Sequence, residues 1–121
     1  MPLNGLHVTV EPDVSPNAPP ATYIVHAGIA NLTWKPKPDG SATASVYIMA
    51  VSLNAKNKML AHTLRGMTAA AKPDANLTDA ARTADFQFTA EPAPKAAALR
   101  FIVRDSASGR MGSVDLPLAK R

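Results

Sequence analysis

Cysteine is absent from the chain, which excludes disulfides, thiolate metal sites and cysteine nucleophiles. Aromatic residues make up only 5%: Phe86, Phe88, Phe101, Tyr23, Tyr47 and Trp34 are the whole set. Much of the 46% apolar fraction is alanine. The core therefore has to be thin and built from Val, Ile, Leu and Met, which suits two small sheets better than a helical bundle. No apolar run approaches the roughly 20 residues of a helical membrane span, so none is expected. The opening from Met1 to Gly5 lacks a charged region followed by an apolar one, and no signal peptide is read there.

Glycine is also sparse, six against eleven prolines. Proline stops helices and interrupts ladders, so this balance predicts short strands joined by stiff turns. The net charge of +4 comes from Lys and Arg residues scattered among acids. The densest cluster is Lys35 and Lys37, set between prolines, and lacks the basic stripe of a phosphate-binding surface. No nucleic-acid partner is expected.

Catalytic patterns are missing too. There is no Gly-x-Ser-x-Gly string and no recognisable Ser, His and Asp constellation. Four of the nine carboxylates, Asp13, Asp39, Asp74 and Asp105, sit in turn-like context. His7, His26 and His62 lie on separate strand candidates, each alternating with apolar neighbours, so they read as solvent-facing strand residues and not as metal ligands. Asp39-Gly40-Ser41-Ala42-Thr43 superficially matches a metal-dependent adhesion string, but Asp-Gly between prolines and a strand is better read as a hairpin turn. Asn31-Leu32-Thr33 and Asn76-Leu77-Thr78 match the short glycosylation acceptor string. The alanine-rich composition looks bacterial, where that string carries no meaning. The expectation is a non-enzyme with no cofactor and no metal.

What is present is strand periodicity. Leu6, Val8 and Val10 alternate with polar residues, and Thr22 to His26 is a β-branched run. Ala30, Leu32 and Trp34 form another alternating set. Ser41 to Leu53 is the longest candidate, with Tyr47, Met49, Val51 and Leu53 on one face and Val46, Ile48 and Ala50 on the other. Both faces are apolar, which predicts a central strand. Met59 to Arg65 returns as its hairpin partner. Gly66 to Arg82 reads as the least ordered stretch, with a short helical turn from Thr78 to Ala81. Asp85 to Thr89, Ala98 to Arg104 and Arg110 to Leu118 complete the set. Phe86, Phe88, Phe101 and Trp34 are expected inside, with Asp85, Gln87, Arg100 and Arg104 outside. The whole chain, residues 1–121, is read as one all-β domain, an immunoglobulin/fibronectin III-like sandwich of about seven or eight antiparallel strands.

The most distinctive stretch runs from Leu99 to Val114. Physically it is a hairpin in which Asp105 accepts amides of Ser106 to Ser108 and Gly109 supplies a positive φ. Arg104, Asp105, Gly109 and Gly112 are its candidate structural residues. The stretch also resembles the C-terminal β-sandwich region of bacterial von Willebrand factor A-related proteins, where a strand ending in Val-Arg-Asp, a small-residue turn and a Gly-[Lys/Arg]-x-Gly-Ser string recur. Ser45 to Leu60 resembles the preceding hairpin of that region. The chain departs from the pattern at Pro92 to Lys95 and at Asn54 and Asn57. The resemblance implies a piece cut from a longer exported protein, non-catalytic, serving protein–protein contact or spacing. A carbohydrate-binding sandwich is the alternative, although only Trp34, Tyr23 and Tyr47 could stack on a sugar.

Overall fold

The computed structural model describes residues 6–73, 75–79 and 81–118. Its strands are β1 (Val8–Pro12), β2 (Thr22–Gly28), β3 (Lys35–Pro36), β4 (Ala42–Leu53), β5 (Met59–Ala71), β6 (Thr83–Thr89), β7 (Ala98–Asp105) and β8 (Met111–Pro117). They form two antiparallel sheets. One runs β1-β2-β6; the other runs β3-β4-β7-β8, with β5 paired to the opposite edge of β4. This is the all-β sandwich that the alternation predicts. Among the described residues no helix is long and apolar enough to cross a membrane. Asp74, read as a turn residue, and Ala80, in the expected helical turn, lie outside the described residues.

Period-2 alternation places the core directly. Val25 and Ala27 of β2, and Ala84, Phe86 and Phe88 of β6, face Val46, Ile48 and Ala50 of β4 and Leu99, Phe101 and Val103 of β7. Phe88 and Phe101 meet edge to face across the two sheets at 6.1 Å, and Tyr23 lies 5.4 Å from Phe101. Trp34 is only half-buried. Its indole Nε1 donates to the Ile29 carbonyl at 2.9 Å.

Two elements differ from the expectation. Ala30, Leu32 and Trp34 do not form a strand, because the chain makes a 3-10 turn at Ile29–Asn31 while crossing between the sheets. Leu32 is buried by that crossing, which imitates alternation. In contrast, β5 does not stop at Arg65 but continues through Ala71. Alanine is a poor strand former, yet Ala69 and Ala71 lie opposite Ala44 and Ala42. The ladder to the long β4 outweighs intrinsic preference.

The two long sides of the sandwich are not alike. On one side β1 and β8 touch. Gly112 of β8 is buried, and a Cβ built there would fall 2.1 Å from the Leu6 carbonyl oxygen and 2.8 Å from Val8 Cγ2. A side chain cannot fit without moving backbone. Gly112→Ala is expected to cost about 1–3 kcal/mol through overpacking, read as a lower urea midpoint at unchanged slope. An unchanged midpoint would mean that the β1–β8 approach is looser than the geometry requires. On the other side β5 and β6 are both sheet edges and leave a gap.

Candidate functional site

The outer face of the five-stranded sheet carries an uncovered apolar surface. Tyr47 and Met49 of β4, Leu64 of β5, Ile102 and Arg104 of β7 and Met111 of β8 line a shallow depression of about 370 Å³. The register makes them neighbours: Met49 pairs with Leu64 on one side and Ile102 on the other, while Arg104 pairs with Tyr47 and Met111. Tyr47 is 50% exposed and Leu64 60%. Tyr47 lies over Gly66, where a Cβ would sit 3.5 Å from the ring. The double-sided apolar pattern of β4 thus has two causes. One face is core; the other is open surface.

A second concavity, about 620 Å³, lies between the end of β5 and the start of β6. Ala69, Ala71 and Ala84 line it, Trp34 contributes its ring, and Lys72 and Arg82 stand at its rim. Small side chains on both facing strands leave this space unfilled.

The four candidate hairpin residues have four separate environments. Gly109 has a φ of 78° and donates its amide to the Asp105 carbonyl at 2.8 Å. Gly112 is the point of contact with β1. Arg104 is exposed on the apolar face. Asp105, by contrast, is 0% exposed. Its Oδ2 accepts the Ser108 hydroxyl at 2.6 Å and amide at 3.2 Å. The Thr33 hydroxyl donates to the same oxygen at 2.5 Å, and the Thr33 amide to Oδ1 at 3.2 Å. The Ser106 amide instead goes to the Ser45 carbonyl, so Asp105 takes one turn residue rather than three. Burial raises the Asp105 pKa, but the bonds from Ser108 and Thr33 outweigh it and hold the group below the usual carboxylate value. Nothing in the spacing signals Thr33, which comes from the crossing segment far upstream. Its one sequence mark was the Asn31-Leu32-Thr33 string.

His26 is the other residue whose surroundings the sequence conceals. It lies on β2 between β1 and β6, with Asp85 directly opposite. Asp85 Oδ1 lies 2.6 Å from Nδ1, and Glu11 Oε1 lies 3.5 Å from Nε2. Desolvation disfavours the imidazolium, yet the bond and charge of Asp85, then Glu11, outweigh it and raise the pKa above 6.5. Protonated His26 therefore stabilises the fold fully below pH 6.5, and that contribution is lost as pH rises through the raised value. The melting temperature is expected to fall on going from about pH 6 to about pH 8.5, with a smaller fall in His26→Gln. Equal slopes in the two proteins would show that the cluster contributes nothing.

Asp39 accepts the Ser41 amide at 2.9 Å and hydroxyl at 2.6 Å, and Gly40 has a φ of 88°; the Asp-Gly string is a turn. Among the described residues no group of three His, Asp or Glu is placed to hold a metal ion. Comparison with family models, curated proteins and solved structures finds no match.

Proposed function

We propose that the chain is a non-catalytic β-sandwich module of an exported bacterial protein, acting through protein–protein contact. The uncovered apolar face around Tyr47, Met49, Leu64 and Ile102 carries this reading. Contiguous exposed apolar surface on a soluble domain marks a contact site, and Met, Tyr and Arg are the side chains that interfaces favour. The carboxylates support the absence of acid–base chemistry. Asp13, Asp39 and Asp105 accept turn amides, Asp115 pairs with Arg100, and Asp85 binds His26. The resemblance of Leu99 to Val114 to von Willebrand factor A-related proteins supports the exported context, as a C-terminal sandwich region of such a protein.

A carbohydrate-binding role fits less well. Sugar stacking uses a row of open rings, and here Tyr47 alone is exposed, with Tyr23 buried and Trp34 half-buried. The test is a double variant, Tyr47→Asp with Leu64→Asp, compared with the native chain on a column of the source organism's exported proteins and on a glycan array. Proteins retained by the native chain and released by the variant, with equal melting temperatures, are the expected result. Saturable glycan binding that is lost in the variant would overturn it.

A further inference from the structure

The apolar face adjoins the outer edge of β5, which pairs with no strand but β4 among the described residues. Of the five large apolar side chains exposed among the described residues, Met59, Leu60 and Leu64 lie on β5, and Tyr47 packs beside it. The direction of the backbone groups follows from the ladder. Ser106 and Ala97 donate to the carbonyls of Ser45 and Leu53, so odd-numbered residues of β4 turn toward β7. Even-numbered ones turn toward β5, where Ile48 meets Arg65 and Val46 meets Met67. Antiparallel pairs alternate, which leaves the N–H and C=O groups of His62, Leu64, Gly66, Thr68 and Ala70 facing outward. Among the described residues none of these groups has a partner.

Natural edges are normally blunted by charge or proline. Edge strand β1 has Glu11 and Pro12, β6 has Asp85, and β8 has Asp115 and Pro117. In β5 there is no proline and no lysine, and its one arginine, Arg65, turns inward over the Phe88 ring at 5.5 Å. From Lys56 to Lys72 the chain carries Lys56, Lys58, Arg65 and Lys72, and no carboxylate. Lys56 and Lys58 stand at one end of the edge, Lys72 and Arg82 at the other. Among the described residues none of these four makes an ion pair.

We infer that β5 receives an extended acidic polypeptide segment as an added strand, its backbone pairing with His62 to Ala70 and its carboxylates meeting the lysines at the two ends. The inference rests on the protein-contact reading and names the partner's chemistry. Main-chain bonds supply affinity in this mode, and side-chain pockets supply selection. Side chains on the inner face of the added strand enter the space beside Ala69, Ala71 and Ala84; those on its outer face extend the Tyr47–Leu64 surface. A second copy of the chain fits less well. Antiparallel pairing of β5 with itself would set Lys56 and Lys58 of each copy near Lys72 of the other.

The test uses the whole chain and a synthetic peptide of about fifteen residues, long enough to span the edge, with glutamates at both ends around alternating valine and threonine. Binding is followed by amide NMR and hydrogen exchange. The expected result is saturable binding with new protection at His62, Leu64, Gly66, Thr68 and Ala70. Methylating alternate peptide nitrogens, on the pairing edge, should weaken binding about tenfold or more, because several bonds are lost together. Thr68→Pro should weaken it about fivefold, removing one outward N–H without touching the ladder to β4. Neutralising Lys56, Lys58 and Lys72 to glutamine should weaken it similarly and flatten its salt dependence.

No binding of the acidic peptide overturns the inference, and so does equal binding of the methylated form, which would leave charge alone as the cause. An oligothymidylate that binds as tightly, and competes, would assign the edge to nucleic acid instead. Protection of the same amides in the concentrated chain without peptide, lost in Thr68→Pro, would assign it to a second copy. Failure of the peptide while the Tyr47 and Leu64 contacts persist rejects strand addition alone. Loss of both rejects the protein-contact reading as well.

Discussion

Phe101→Ala is expected to lower the stability by about 3–5 kcal/mol, the range for removing a fully buried phenylalanine from a packed core. The ring is 0% exposed and is the one aromatic of the five-stranded sheet that reaches the rings opposite, Tyr23 and Phe88. Phe88→Ala should cost a comparable amount. Its ring also carries the Arg65 guanidinium on its face, so the loss would loosen β5 as well. Urea denaturation gives the value directly. A loss under about 1 kcal/mol at both positions would mean that the two sheets do not pack as described.

Asp105→Ala is expected to cost about 3 kcal/mol, because it removes a fully buried acceptor and with it four part-buried hydrogen bonds, from Thr33 and Ser108, each worth about 1 kcal/mol. Turn bonding alone, as read from the sequence, would put the loss near 1 kcal/mol; the difference comes from the two bonds to Thr33 and from complete burial. Asp105→Asn should lose less, since the Thr33 and Ser108 hydroxyls can rotate to meet an amide. The pH dependence separates charge from shape. A carboxylate held below its usual value stabilises the fold above about pH 3.8 and loses that contribution as pH falls through the lowered value. The acid limb of the stability curve should therefore be shallower in Asp105→Asn than in the native chain. Equal stability of Asp105→Ala and the native chain would reduce the Thr33 contact to an accident of packing.

Much of the fold is legible in the sequence because strands announce themselves by alternation. Phe86 and Phe88 with Asp85 and Gln87, and Leu99, Phe101 and Val103 with Arg100 and Arg104, read the same way in both. Turn chemistry was legible for the same local reason, with Gly40 and Gly109 at positive φ. The failures are non-local. Ala69 to Ala71 have no strand preference of their own, and only the length of β4 draws them into the ladder. The partner of Asp105 is Thr33, 72 residues away. His26 finds Asp85 through the β2–β6 register, which no spacing encodes. The proposed contact surface was hidden by a further ambiguity: an apolar residue facing outward, such as Tyr47 or Leu64, looks in sequence like one facing the core. Topology alone decides that the outer face of β4 is left bare and that β5 ends the sheet.

The claim that this face and its edge are where the module meets its partner is tested most directly by site-specific photo-crosslinking. A photoreactive residue is placed at Leu64, on the open face, or at Val14, which is 90% exposed on a loop that follows β1. Both chains are then irradiated in a protein extract of the source organism. The expected result is a discrete protein adduct from position 64, absent from position 14 and lost when Tyr47→Asp is added. Adducts from position 14 alone, or adducts from position 64 that survive Tyr47→Asp, would contradict it.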